Sequence, residues 1–307
     1  MSLAQLDETL AGVQTIVSPV VLVGGSVRDA LLDRHVTDYD LATPLHPDDL
    51  EEMIRAAGRR PYTVGKRFGT VGFRWNGRII EVTTFRDETY RLNDRHPDVE
   101  FVPDLKRDLA RRDLTINAMA YDGTLIDPFG GESDLSNGIL RAVGAPAERM
   151  EEDPLRILRI ARFACELGFD VEQHTLSACE ESAHLILHVA RQRWAIEMDR
   201  LITGPHLAHG MGTLERTGIL HQILPLMSSR LELGALDLAA SVDLIASQPD
   251  DDLELRWAAL TLALARSLGE KSAAERAEHL VICLAARFAW SNRRTADTRS
   301  AVRMVEL

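Results

Sequence analysis

The chain has 307 residues, 45% hydrophobic and 27% charged, with a formal charge of −12; that is enough length and apolar content for two or three domains with real cores. No apolar run approaches the ~18 residues of a membrane span, and MSLAQLDETLAGVQ lacks the basic-then-apolar layout of a secretory signal, so a cytoplasmic protein with no membrane partner is expected. So acidic a chain does not bind nucleic acid with its whole surface, but residues 66–112 carry eleven Lys+Arg against eight Asp+Glu, which puts any polyanion site in the first half.

In chain order, residues 1–14 read as a helix and VSPVVLVGG as a buried strand closing on two glycines. SVRDALLDR opens a short helix, and TDYDLAT alternates like a strand. PDDLEEMIRAAG is a helix with Pro in its first turn and Gly at its end, and GTVGFRWNGRIIEVTTFR is a hairpin turning at Asn76-Gly77. This order describes an α/β or α+β domain with one mixed sheet. From about Asp134 the alternation fades. PLRILRIARFACELGF, HTLSACEESAHLILHVARQRWAIEMDRLIT, PHLAHGMGTLERTGILHQILPLM and ELRWAALTLALARSLG carry helical apolar spacing, so the second half is helical. Polar punctuation at SNGILRAVG marks a boundary near 140, and LPLMSSRLELGALD with SQPDDD marks a softer one from 225 to 250. Cys165, Cys179 and Cys283 form no CxxC pair and sit in helical apolar stretches, which fits buried reduced thiols better than a metal site.

Gly24 and Gly25, between a buried strand and a helix start, let main-chain N–H groups approach a phosphate, with Ser26 and Arg28 as further donors. A Gly-Gly turn also serves plain geometry, and the spacing matches neither the P-loop nor GxGxxG. Asp38 and Asp40, two apart in a strand, point to the same face, and like carboxylates so close repel unless a cation such as Mg²⁺ sits between them. A bare DxD is otherwise a solvated edge strand; the upstream glycines and Arg28 favour the cation. Glu81, in the strand IIEVTTFR, is either a third carboxylate or merely exposed.

GGSVRD followed by DYD, then DLARRDLTINAMAYD at Asp108–Asp122, DPFGG at Asp127–Gly131 and EEDPLRILRIARFACELGF at Glu151–Phe169 together resemble the class II tRNA nucleotidyltransferase and poly(A) polymerase family of the polymerase-beta superfamily. The resemblance runs from residue 20 to about 225. It implies a nucleotidyltransferase catalytic head over 1–140, a helical neck that recognises the nucleotide base over 141–225, and over 226–307 a helical body that is degenerate or truncated. It also implies template-independent addition of CCA to the tRNA 3′ end from CTP and ATP with release of pyrophosphate. Relatives that add only A, only CC or poly(A) are the nearest alternative, and a non-catalytic RNA-binding module is one of another class. Carried over by position, Asp38 and Asp40 become the catalytic pair that holds Mg²⁺. Gly24, Gly25 and Arg28 contact the triphosphate, Arg112 and Asp113 the nucleotide phosphates and ribose, Asp153 and Arg156 the base edge, and Arg159 and Arg162 the nucleotide pocket. From the residues alone, Asp153 before Pro154 is also a good helix cap with Arg156 as its surface partner.

The loop Arg86–Asp104 is too charged for a core and matches the family's flexible loop, which tilts expectation toward A or full CCA addition. Arg191, Arg193 and Glu197 resemble the next family motif, a helix supporting the pocket, or else form a solvated helix face. Some relatives carry a His-Asp metal domain after an LRWAALLHD-like helix. This chain has LRWAALTLALAR, so no such centre is expected, and His184, His188, His206 and His209 form no convincing ligand set. Family members usually continue into a helical tail that grips tRNA, and the end at Leu307 leads to the expectation of a shortened one.

Overall fold

The computed structural model describes residues 3–36, 38–89, 98–224, 237–267 and 273–305. It divides into two compact units, Met1–Ala145 and Pro146–Leu307.

The first unit runs α1 (Leu3–Gln14), β1 (Val21–Val23), α2 (Gly25–Leu31), β2 (Asp40–Thr43), α3 (Pro47–Ala56), β3 (Thr70–Trp75), β4 (Arg78–Thr84), β5 (Arg86–Thr89), β6 (Asp98–Phe101), α4 (Leu105–Ala110), β7 (Ala120–Tyr121), β8 (Leu125–Ile126) and α5 (Gly131–Asn137). Six strands form one mixed sheet in the order β3-β4-β2-β1-β7-β8. β2 and β4 are parallel, and the other neighbours are antiparallel. The β3–β4 hairpin turns at Asn76 and Gly77, which take φ 45° and 81°, as a tight hairpin turn demands. Helix α3 starts on Pro47 beneath a His46 cap, with Asp48 and Asp49 in its first turn, each favourable beside the unsatisfied N–H groups there. Strand and helix faces close on a core that includes Val23, Ala42, Phe85, Val102, Leu109, Ala118, Ala120 and Val143, where each large side chain contributes roughly 1.5–3 kcal/mol by leaving water.

The flanks of the charged loop are more ordered than their composition implies. β5 and β6 pair antiparallel, Arg86 opposite Phe101 and Thr89 opposite Asp98; residues 90–97 between them lie outside the described residues. The start of β2 is a second difference. The strand begins at Asp40, and Asp38 sits on an exposed bend before it, so strand pleating does not align the two aspartates.

The second unit comprises α6 (Pro146–Glu152), α7 (Leu155–Leu167), α8 (Gln173–Ser182), α9 (Arg191–Ile202), α10 (Leu207–Arg216), α11 (Ile219–Ile223), α12 (Leu238–Ala246), α13 (Leu253–Ser267), α14 (Ala273–Phe288) and α15 (Asn292–Val305). Helix α13, the LRWAALTLALAR segment, is buried from Arg256 to Ala265. Its Trp257 meets Phe288 at 5.3 Å between ring centroids and donates from Nε1 to Asp199 at 2.8 Å. Arg256 enters the core only because its guanidinium is satisfied, by the carbonyls of Ile202, Gln248 and Pro249 and by Asp250. Cys165 and Cys179 are buried free thiols, both pushed up to about 12 by that burial and therefore inert as nucleophiles. The softer boundary expected from 225 begins at residues 225–236, which lie outside the described residues. No helix among the described residues is long and apolar enough to cross a membrane.

Candidate active site

Strand β1 delivers the chain to Gly24, whose φ of 66° and ψ of −129° belong to glycine geometry. Its N–H donates to Met119 O at 3.1 Å, which ties the turn to the segment before β7. A side chain here is excluded twice over, since a Cβ on Gly24 would come within 2.5 Å of Arg112 Nη1. A Cβ on Gly25 would sit 3.6 Å from Asp40 Oδ2 and 3.7 Å from Arg28 Nη2. The bare turn therefore lies among one carboxylate and two guanidinium groups. Ser26 is not a free donor, because its hydroxyl bonds Val23 O at 2.8 Å and reaches Asp40 O at 3.4 Å. It fastens the end of β1 to the start of β2.

Asp40 keeps solvent access yet stands in a recess dense with protein atoms. That desolvation raises its carboxyl above the ordinary carboxylate value; Arg112 and Arg28 pull it down, the neighbouring charge of Asp38 pushes it up, and the Gly25 N–H donates to it. The two aspartates thus feel each other although only one is in the strand. Their oxygens suit a hard divalent cation, whose charge would relieve both the repulsion and the desolvation. Glu81 is register-paired with Asp40 across the parallel β2–β4 contact. Among the described residues, however, no three His, Cys, Asp or Glu side chains are arranged to hold a metal, so Glu81 does not complete a triad. The fit is to two protein carboxylates, with phosphate oxygens and water left to fill the other positions.

The arginines are set by a buried network behind the turn. Asp108, 1% exposed, receives Arg111 Nη2 at 2.8 Å and Arg112 Nη2 at 3.2 Å, together with the Arg86 N–H. Burial alone would push its carboxyl up, but Arg112 and Arg111 outweigh it and hold it below the ordinary value. Arg112 Nε is buried without a partner among the described residues, and it is Nη1 that lies beside Gly24. Arg28, 6% exposed, grips Asp29 with Nε and Nη2 and gives Nη1 to Asn117 Oδ1 at 2.7 Å. Asp113 is also buried, and its Oδ1 accepts from the Leu114 N–H and from Asn117 Nδ2. The residues expected from the sequence at the phosphate end, Gly24, Gly25, Arg28, Asp40 and Arg112, are brought together, with Asp113 one residue behind them. Asn117 and Asp108 were not anticipated, although both stand in the DLARRDLTINAMAYD motif at i+4 spacings from Asp113 and Arg112.

DPFGG has a local cause. Asp127 accepts from the N–H groups of Gly131 at 2.8 Å and Glu132 at 2.9 Å, capping α5. A Cβ on Gly131 would fall 2.3 Å from Thr115 O, so only glycine lets α5 lie against the Thr115–Asn117 turn.

In the second unit, Asp153 precedes α7, accepts from the Leu155 N–H at 3.1 Å and pairs with Arg193 Nη2 at 2.7 Å. Arg156 is buried and bonds Glu152 at 2.8 Å and Arg149 O at 2.9 Å. The capping reading of Asp153 thus describes one of its bonds; it also pairs with Arg193, and Arg156 with Glu152. Arg162 is anchored by Glu197 at 2.6 Å and Glu166 at 2.5 Å and stacks 3.8 Å from the Phe163 ring centroid. Arg159 reaches the same Glu197 at 3.5 Å. Glu197, inside α9, is therefore a buried brace for two of the expected pocket arginines.

The first unit is thus an α+β head whose mixed sheet carries a carboxylate and two guanidinium groups to a glycine turn. The family described as Poly A polymerase head domain matches residues 20–141, and that described as Probable RNA and SrmB-binding site of polymerase A matches residues 168–231. The chain is 45% identical over 246 residues to the CCA-adding enzyme of Streptococcus gordonii, covering 79% of this chain and 59% of that one. It is 44% identical to that of Streptococcus sanguinis with the same coverage. The crystal structure of Bacillus stearothermophilus CCA-adding enzyme in complex with CTP superposes with a TM-score of 0.69 at 29% identity, over 99% of this chain and 77% of that one. The chain belongs to the tRNA nucleotidyltransferase and poly(A) polymerase family. It spans 59% of the length of these two curated relatives. Membership carries the use of a divalent metal, which the donor set of Asp38 and Asp40 fits.

Proposed function

We propose that the chain is a cytoplasmic, template-independent, Mg²⁺-dependent nucleotidyltransferase that adds C, C and A to the 3′ end of tRNA from CTP and ATP and releases pyrophosphate. The observation that carries this reading is the convergence of Asp40, Arg28 and Arg112 on the side-chain-free turn Gly24-Gly25. With no side chain on either glycine, an anion can approach the turn without steric hindrance, between the guanidinium groups of Arg28 and Arg112. The choice of Mg²⁺ rests on oxygen-only protein donors with room for phosphate oxygens and water.

When bound, the metal would be held by Asp38 and Asp40 and supply charge neutralisation for the attacking and leaving oxygens of an in-line displacement. The protein's own residues do the rest. Gly24 and Gly25 admit the triphosphate, Arg112 and Arg28 balance its charge, and Asp113 steadies the ribose end of the site. Asp153 and Arg156 read the base edge, one as an acceptor and the other as a planar donor fork, which suits the amino, ring-nitrogen and carbonyl positions of C and A. Arg193 fixes the orientation of Asp153, Glu152 that of Arg156, and Glu197 holds Arg159 and Arg162. In this reading residues 1–140 are the catalytic head, 141–225 the base-reading neck and 226–307 the body.

The test is incorporation of CTP and ATP, supplied singly, into tRNA transcripts that end before, within or after CC. CTP is expected on the first two and ATP on the transcript ending in CC. An absence of CTP incorporation sinks CCA addition and leaves an A-adding or poly(A) relative.

A further inference from the structure

Asn117 sits on the Thr115–Asn117 turn, 6% exposed. Three groups of the phosphate end meet on it. Its Oδ1 accepts from Arg28 Nη1 at 2.7 Å, its Nδ2 donates to Asp113 Oδ1 at 3.0 Å, and its main-chain O accepts from Arg112 Nη1 at 3.4 Å. The amide can face only one way: turned over, its NH₂ would meet a guanidinium and its oxygen a carboxylate, setting donor against donor and acceptor against acceptor. Both arginines that flank Gly24-Gly25 are therefore tied to a single residue. Arg112 uses the same Nη1 that lies beside the Gly24 Cβ position, and Arg28 Nη2, which also bonds Asp29 at 3.0 Å, lies 3.7 Å from the Gly25 Cβ position.

We infer that Asn117 is a positioning residue for the triphosphate: its side-chain amide, aimed by Asp113, acts opposite Asp29 to fix the guanidinium of Arg28 beside the Gly25 turn. The inference rests on the nucleotidyltransferase reading and deepens it. Asn117 does not touch substrate. Its effect runs through Arg28, since the bond to Arg112 is made by the main chain and survives substitution. The turn itself is held by Thr115, whose hydroxyl donates to Asp134 at 2.7 Å and whose N–H donates to Arg141 O at 2.9 Å, so the amide can be removed without removing the turn.

The experiment is a double-mutant cycle of Asn117→Ala and Arg28→Lys, read as affinity for inorganic triphosphate by calorimetry and as KM and kcat for CTP and ATP. N117A is expected to weaken triphosphate binding by about tenfold, the scale of one buried hydrogen bond to a charged group. KM for both nucleotides should rise in parallel, with kcat within about threefold of wild type. In the R28K background, where the planar fork is gone, N117A should add less than about twofold, because the two act as one unit. Asn117→Ser, which keeps a small hydroxyl, enters the same cycle if N117A does not fold. Additive losses, or triphosphate affinity unchanged in a folded variant, overturn the inference, as does a wild-type chain that binds no triphosphate. A wild-type chain that binds triphosphate but incorporates no nucleotide overturns the catalytic reading alone, and the cycle still decides the role of Asn117.

Discussion

Arg162 and Arg112 are both held against carboxylates, and they differ in what is left over. In the helical unit Arg162 gives Nε to Glu197 and Nη1 to Glu166 and lays its face on Phe163. In the sheet unit Arg112 keeps a buried Nε without a partner among the described residues, and Asp40 carries a raised pKa. A saturated network fixes geometry, whereas an unsatisfied one holds free energy that a bound anion and cation can release. The glycines sharpen the contrast. Gly24 and Gly25 leave space in front of the charges, while Gly131 removes space behind them.

The largest effect that tests this contrast is Asp40→Asn. If Asp40 is one of two metal carboxylates as proposed, its loss should cut nucleotide incorporation by about a thousandfold, yet raise the melting temperature, because burial opposes ionisation at that position. A stabilised, fully active variant would break the assignment, and a calcium or magnesium titration should stabilise the wild type more than D40N. Next is Asp108→Ala, which strands Arg111 and Arg112 and should cost about 3–5 kcal/mol in urea unfolding. The folded pKa of Asp108 lies below its ordinary value of 3.8. Its contribution is therefore present above that value and lost as pH falls through the folded pKa, and Asp108→Asn should flatten the acid limb of the stability curve. Gly131→Ala forces α5 off the Thr115 carbonyl and should cost about 2 kcal/mol, with a rise in nucleotide KM as the Asn117 turn shifts. The smallest effect is expected from Glu197→Gln, about 1–2 kcal/mol: Arg162 keeps Glu166, so the saturated network degrades gradually where the open one fails.

Much of the architecture was legible because local rules set it. Pro47 and Gly58 bracket α3, Asn76-Gly77 can only turn, and the apolar spacing of LRWAALTLALAR marks a helix buried along most of its length. The candidate site was legible where chemistry is concentrated in short motifs, as in GGSVRD and DYD. The placement of Asp38 was not, because a two-residue spacing fixes a shared face only inside a strand and β2 starts at Asp40. The paired flanks of the charged loop were hidden for a related reason: β5 and β6 are held by main-chain bonds that composition does not report.

By itself, then, the sequence determined the α+β head followed by helices, the glycine turn, the aspartates and the family. The family follows from the resemblance carried by five short motifs; the rest follows from turn geometry, periodicity and residue chemistry, which act over a few positions. Only the tertiary structure decided which charges are satisfied. Arg28 meets Asn117 across 89 residues and Arg162 meets Glu197 across 35, and whether a buried ion is a brace or an open donor depends on neighbours that chain order alone does not specify.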